Sequence, residues 1–485
     1  MKPANLLFIL SDQHNVNVLG SSGNSAARTP NLDGLAARGT RFANAYTNCP
    51  ICVPARASLA TGQYVHRIRH WDNAFPWNGT PRGWGHQLKE QGYNVTSIGK
   101  LHFRSADDDN GFTEEIDPLH VVEGLGDLLS CVRDDPPRRD SRACITEAGP
   151  GDSTYLQYDA SNTAHALEWL KQHANDDKPW VLFLSLVCPH PPFIAPPEFY
   201  ARQDPLSLPL PPQWQEADWP RHPVLDNMRR FFNLEPAFDE ETLRKLLATY
   251  YAVCEYVDDN VGKVIAALDE LGLNESTRVV YSTDHGESLG ARGLFGKFTM
   301  YEEAAAVPLI MAGPEVPAGH VVQTPVSLLD MAPTILEGVD ARPDDWSAQL
   351  PGQSLWSLMQ EADQDRSVFS EYHTVGTRHG YFMLRDLRYK YVHYVDGPPQ
   401  LFDLIDDPWE VRDLAGIPDF GPVLKERESR LRSMLDPEAV DAQARADQRA
   451  KVEDFGGEAA VRARGTFANS PVPGEEPGFR RYDSG

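Results

Sequence analysis

A chain of 485 residues has room for one large catalytic domain and a smaller companion. Hydrophobic residues make up 41 % and charged residues 24 %, with 10 Trp, 17 Tyr and 20 Phe, which supplies a globular interior and excludes global disorder. A formal net charge of -25, from 45 Lys and Arg against 70 Asp and Glu, repels polyanions and argues against a nucleic-acid groove or an anionic-membrane anchor.

In chain order, Asn5 to Ser11 is a continuous apolar run that ends abruptly in Asp12-Gln13-His14, the pattern of a strand buried on both faces. Its apolar part is too short for a signal peptide, and no run approaches the roughly 20 residues that span a bilayer, so a cytoplasmic protein without membrane contact is expected. Similar strands are predicted at Asn94 to Ile98, Trp180 to Val187, Arg278 to Ser282 and Val307 to Ala312. Helical patterns at Thr154 to Gln172 and Glu241 to Leu271 separate them, which predicts an α/β domain with a large, mostly parallel central sheet flanked by helices. Such sheets bind ligands beyond the carboxyl ends of their strands, where Asp12 and Asp284-His285 fall. Residues 194 to 224, rich in proline and without periodicity, read as an insertion or lid, or as a linker.

Near 370 the texture changes to short aromatic strands, at Tyr381 to Leu384, Arg388 to Tyr394 and Leu401 to Leu404, followed by a helix at about 421 to 435. The division expected is therefore 1–370 as the catalytic domain, 371–435 as a small antiparallel-sheet subdomain and 436–485 as an extended tail. The tail from Asp436 reads as helical and charged at first and then Gly- and Pro-rich, without the apolar content for its own core, so it is expected to wrap a neighbour, as in a homo-oligomer, or to fold back on its own subunit. Six cysteines do not make a disulfide scaffold.

The densest chemical signal is Cys49-Pro50-Ile51-Cys52-Val53-Pro54-Ala55-Arg56, followed by Thr61-Gly62. Three readings are open: two buried thiols before a helix, a redox pair at the spacing of Cys49 and Cys52, or an oxyanion site. In the third, Pro54 starts a helix whose free N–H groups face an anion, and Arg56 adds a guanidinium fork. His66 and His70 have helical metal-ligand spacing but no accompanying glutamate, and are assigned to structure. Trp71 and Trp77 flank Asn73 and are read either as a cation–π wall for a substrate or as packing.

The segment Cys52, Pro54, Arg56 and Thr61-Gly62 resembles the sulfatase signature of the alkaline-phosphatase superfamily. The resemblance implies an alkaline-phosphatase-like fold and oxidation of Cys52 to formylglycine by a dedicated maturation system, with the aldehyde hydrate as nucleophile. It also implies one divalent metal on Asp12, Asp284, His285 and residue 52. Oxygen ligands favour Ca²⁺ and the imidazole keeps Mn²⁺ in contention. Many members have Asp-Asp where this chain has Asp12-Gln13, so Gln13 is expected to be a neighbour and not a ligand.

By the same resemblance Arg56, Lys100 and Lys297 neutralise the sulfate, His102 supports the hydrate and assists release of sulfate, and His190 protonates the leaving oxygen. Asn73 falls where choline-sulfatase-like and phosphonate-hydrolase-like branches place a substrate contact. A sulfate monoester of small-molecule size is the substrate implied. Two other readings stay open: a phosphonate monoester or phosphodiester hydrolase using the same site, and an inactive binding or assembly protein that keeps the fold. The intact set of site residues argues against the last.

Overall fold

The computed structural model describes residues 4–480 except position 362. Its centre is an eight-stranded sheet built from β1 (Asn5–Asp12), β2 (Gly39–Phe42), β3 (Asn94–Lys100), β4 (Glu114–Leu119), β5 (Trp180–Pro189), β6 (Thr277–Thr283), β7 (Leu309–Ala312) and β8 (His320–Val322), in the order β8-β2-β7-β6-β1-β5-β3-β4. Strands β6, β1, β5, β3 and β4 run parallel. Strand β7 is antiparallel to both of its neighbours, β2 and β6. Its buried apolar run carries no mark of direction, because a strand covered on both faces is apolar throughout either way.

The sheet is buried because β1 alternates its side chains between two layers. Leu7 and Ile9 enter one core with residues of α2 (Thr154–His173) and α3 (Glu240–Glu270), whereas Leu6, Phe8 and Leu10 enter the opposite core with Val280, Trp84 and Ile335. Each such side chain contributes roughly 1.5–3 kcal/mol on burial, so the central strands are the hardest part of the fold to displace. Helix α3 is capped by Asp239, whose carboxylate accepts the Thr242 N–H at 2.7 Å, and it buries Leu246, Tyr250, Val257, Val261, Val264 and Leu268. Among the described residues no helix is long and apolar enough to cross a membrane.

The proline-rich stretch 194–224 is not a lid over the pocket described below. It seats Phe199, Leu208 and Trp219 in the body of the protein, and Trp219 lies so close to Gly293 that a Cβ there would meet its ring at 2.2 Å.

A separate antiparallel sheet follows, with β9 (Val368–Tyr372), β10 (Tyr381–Arg385), β11 (Tyr389–Tyr394) and β12 (Gln400–Asp403) in sequential order. The junction expected at 370/371 therefore falls inside its first strand. Helix α4 (Gly421–Met434) packs on this sheet through Leu431.

The tail is helical first, as its charged opening reads: it forms α5 (Pro437–Asp454) and a further short helix at Glu458–Arg464, and it folds back on its own chain. Few apolar groups hold it. The seam of α5 is Asp441, Ala444, Gln448 and Val452, in which Asp441 lies 3.3 Å from Arg133 and Gln448 Nε2 donates to Asp72 and to the His373 carbonyl at 2.7 Å each. Burial pushes the Asp72 carboxyl up to about 6.

Candidate active site

Parallel register delivers the site. Ser11 of β1 lies beside Thr283 of β6, so the next residues, Asp12 and Asp284, emerge side by side at the carboxyl edge of the sheet. Strand β5 ends at Pro189 and presents His190, and β3 ends at Lys100. Four adjacent strands thus place Asp284-His285, Asp12, His190 and Lys100 along one edge, where open α/β sheets bind ligands.

Cys52 begins the ten-residue helix α1 (Cys52–Thr61), and this helix points its N-terminus at that edge. Pro54 lies in the first turn, where a missing N–H costs nothing. The Val53 N–H is taken by Asn73 Oδ1 at 3.2 Å, and the helix ends at Gly62 in the left-handed conformation, φ 63°. Asn73, expected as a substrate contact, therefore pins the helix end while also lining the pocket. Cys49 and Cys52 are both free thiols; burial, then Glu371, pushes Cys49 far above its usual range, so of the two only Cys52 sits among the charged groups of the site.

The Cys52 sulfur lies 3.1 Å from His285 Nε2, 3.1 Å from Lys297 Nζ and 3.8 Å from Asp12 Oδ1. Burial and the Asp12 carboxylate push its thiol up, but Lys297, His285 and Lys100 outweigh them and hold it below its ordinary value. Burial likewise opposes charge on Asp12, yet Lys100, at 2.7 Å, and then Arg56 keep its carboxyl well below the usual range.

The donors suit a divalent ion. One ligand atom each from Asp12, Cys52, Asp284 and His285 falls within 4.8 Å of the others. His285 Nε2 is 3.6 Å from Asp284 Oδ1 and 4.0 Å from Asp12 Oδ1, and bonds of about 2.0–2.6 Å at near-right angles space donors by roughly 3–4 Å. His285 Nδ1 faces the Gly286 carbonyl at 3.1 Å, which leaves Nε2 with its lone pair for a metal.

Arg56 departs from expectation. It is buried and does not line the pocket; it donates to Asp284 Oδ2 at 2.8 Å, Asp12 Oδ2 at 3.1 Å, the Lys100 carbonyl at 2.7 Å and Ser185 Oγ at 2.9 Å. A guanidinium committed to two buried carboxylates fixes Asp12 and Asp284 in place and is not turned to the pocket. Lys297 does line the pocket: its ammonium, 3.1 Å from the Cys52 sulfur, also donates to Gln13 Oε1 at 2.8 Å and to His190 Nε2 at 3.1 Å. Gln13 Nε2 in turn donates to Glu287, which also accepts from the Leu289 and Gly296 amides at 3.0 and 2.6 Å. This Glu287-Gln13-Lys297 chain was not anticipated from sequence, although Glu287 lies inside the same motif as Asp284.

His190 donates Nδ1–H to the Pro191 carbonyl at 2.8 Å, and burial together with Lys297 and Lys100 keeps it neutral, well below its ordinary value. His102 is neutral for similar reasons, burial first and then Lys100 and Arg56.

These groups open into a cavity of about 290 Å³ lined by Cys52, Asn73, Lys100, His102, His190 and Lys297, by the rings of Phe193, Phe232, Phe295 and Phe298, and by tail residues 466–470. Trp71 and Trp77 do not line it. The Trp71 indole donates to Asp447 at 2.7 Å and meets His373 edge-on, and Trp77 donates to the Pro81 carbonyl at 2.8 Å against Phe103; both are 1 % exposed. The cation–π wall expected there is packing. Trp71→Phe should leave KM unchanged in steady-state assays while costing about 1 kcal/mol in denaturant unfolding, through the lost tail hydrogen bond. His66 and His70 are structural as expected, on Glu371 at 2.9 Å and the Phe75 carbonyl at 2.8 Å.

The fold and this cluster define an α/β protein of alkaline-phosphatase-like architecture with a buried cluster of acidic, basic and thiol groups at the carboxyl edge of its sheet. The sulfatase family model matches residues 4–341, and a model described as N-sulphoglucosamine sulphohydrolase, C-terminal, matches residues 290–436. The chain is 30 % identical to arylsulfatase K of Mus musculus, over 90 % of this chain and 80 % of that protein. It is 31 % identical to choline-sulfatase of Rhizobium meliloti (strain 1021), over 92 % and 89 %. Among solved structures, a phosphonate monoester hydrolase from Silicibacter pomeroyi superposes with a TM-score of 0.72 at 27 % identity, covering 89 % of this chain and 95 % of that one. The chain belongs to the sulfatase family, and it is an enzyme of the sulfuric ester hydrolase class.

Proposed function

We propose that the chain hydrolyses a small-molecule sulfate monoester at the N-terminus of α1, releasing sulfate and an alcohol. The observation that carries this reading is the concentration of positive charge around residue 52. Two buried lysines, Lys100 and Lys297, meet a helix N-terminus there, in a chain whose net charge is -25. A sulfate ester gains negative charge on its oxygens as the S–O bond breaks, so fixed cations stabilise its transition state more than a strong base would.

Formylglycine, made from Cys52 by a maturation system, fits the position. The sulfur already faces the metal ligands and Lys297, and the buried Nδ1 of His102 in the same pocket has no hydrogen-bond partner for a second hydroxyl to displace. A divalent ion, Ca²⁺ or Mn²⁺, held by Asp12, Asp284, His285 and residue 52, supplies Lewis acidity that favours deprotonation of an attacking hydroxyl.

The other tasks fall to the chain itself. Lys100 and Lys297 hold sulfate oxygens. Lys297 and His190 share a hydrogen bond, so a proton on this pair stands ready for the departing alcohol oxygen. His102, neutral and buried, takes a proton from residue 52. The phenylalanine wall suits an apolar or aryl leaving group, and the loss of both tryptophans from the wall weakens a cage for a quaternary ammonium. Assembly into a homo-oligomer and a cytoplasmic location belong to the same proposal.

A phosphonate monoester or phosphodiester is the second reading, supported by the Silicibacter pomeroyi likeness. Lys100 and His102 favour sulfate, because phosphonate hydrolases more often carry hydroxyl residues at these positions. Matched para-nitrophenyl sulfate and para-nitrophenyl phenylphosphonate decide between them: the larger kcat/KM is expected for the sulfate, and the reverse order would assign the enzyme to phosphonates.

A further inference from the structure

The tail folds over the pocket and contributes residues 466–470 to its wall. Thr466 Oγ1 donates to Asp127 at 2.9 Å, and the Tyr155 hydroxyl of α2 donates to the Ser470 carbonyl at 2.6 Å, so the segment is bolted at both ends. At the second of these bolts the Ser470 hydroxyl meets His102 Nε2 at 2.8 Å. His102 is itself held in a left-handed backbone conformation, φ 57°, with its N–H on the Leu119 carbonyl at 2.8 Å. Its other ring nitrogen, Nδ1, is buried and has no partner. One nitrogen is therefore engaged by the tail, and the other is kept unengaged inside the site.

We propose that Ser470 is a positioning residue for His102. A hydroxyl can donate or accept, but the alternative tautomer would bury an Nδ1–H with no acceptor, so the Ser470 oxygen accepts Nε2–H and the lone pair of Nδ1 is left for the proton that residue 52 gives up. That proton moves to Nδ1, the ring becomes imidazolium, and Nε2–H stays on Ser470. This inference rests on the proposed hydrolysis for its catalytic meaning, but the pairing itself does not depend on it.

Two readouts separate the two. In Cys52→Ala protein, where maturation is impossible, long-range proton–nitrogen-15 spectra of the histidines, with His102 assigned by substitution, should show His102 protonated at Nε2. Adding Ser470→Ala should convert it to a tautomer mixture. In matured enzyme, Ser470→Ala should lower kcat by about 10- to 100-fold with KM unchanged, and Ser470→Thr, which restores a hydroxyl, should recover most of the loss.

An Nδ1-protonated His102 in the parent, an unchanged kcat in Ser470→Ala, or a Thr variant as impaired as the Ala variant would each overturn the proposal. Should the expected tautomer appear in a protein that carries the aldehyde yet turns over no sulfate ester, the pairing stands and the hydrolytic reading fails.

Discussion

Cys52→Ala is expected to reduce sulfate-ester turnover by about 10⁴-fold or more, the scale on which loss of a covalent nucleophile acts in other hydrolases. The argument is geometric. Among the described residues, the residue 52 side chain contacts both His285 and Lys297, each at 3.1 Å. Alanine leaves the helix N-terminus and both lysines in place, so substrate should still bind while no nucleophile is present. Cys52→Ser retains one hydroxyl but lacks the second that a formylglycine hydrate provides, and it is expected to fall near the alanine variant in repeated turnover. Single-turnover and steady-state release of sulfate measure both. A Cys52→Ser enzyme with wild-type kcat would refute the formylglycine account.

Arg56→Ala is expected to be the most destabilising single change at the site, by about 3–5 kcal/mol in denaturant unfolding, together with loss of activity. Arg56 is 2 % exposed and joins Asp12 and Asp284, both fully buried, to the end of β3 through the Lys100 carbonyl and to the middle of β5 through Ser185. Without the guanidinium two carboxylates face each other with less compensation, and the cost of burying charge is no longer offset. A divalent ion on the same carboxylates would replace part of the lost charge, so the destabilisation should be greater with a chelator present than with added Ca²⁺ or Mn²⁺. An unfolding midpoint for Arg56→Ala equal to that of the parent would contradict this role. Arg56→Lys should fall between the two, since a single ammonium cannot reach all four acceptors at once.

The central sheet was legible because its strands are apolar on both faces and end in charged residues. Asn5 to Ser11, Trp180 to Val187 and Arg278 to Ser282 were read as strands, and β1, β5 and β6 lie there. The direction of β7 was not, since direction leaves no trace in a run buried on both sides. The site motifs were legible from their order along the chain, and the structure brings Asp12, Cys52, Lys100, His102, His190, Asp284, His285 and Lys297 to one place.

Arg56 was misassigned because a signature arginine beside an anion site reads as an anion ligand. Only the fold shows that two buried carboxylates claim it. Trp71 and Trp77 were misread for a related reason: proximity to Asn73 in sequence says nothing about which face of a loop a ring packs on. The tail was the least legible segment. Its attachment is largely polar, through Asp441, Gln448, Thr466 and Ser470, with a small apolar cluster of Val452, Phe455 and Val461 that is too sparse to give a clear hydrophobic stripe. Gln13 gave a partial signal by standing where an acidic ligand is usual, but its service to Lys297 and Glu287 depends on contacts 284 and 274 residues away in the chain.

The central claim is that the nucleophile is an aldehyde hydrate made from Cys52. The most direct measurement is peptide mass spectrometry across Cys49 to Arg56 on a preparation that demonstrably releases sulfate from para-nitrophenyl sulfate, with and without an aldehyde-reactive hydrazide. The account predicts formylglycine at residue 52 in a fraction that tracks specific activity, and loss of that activity on hydrazide capture. An active preparation in which residue 52 is entirely thiol would contradict it.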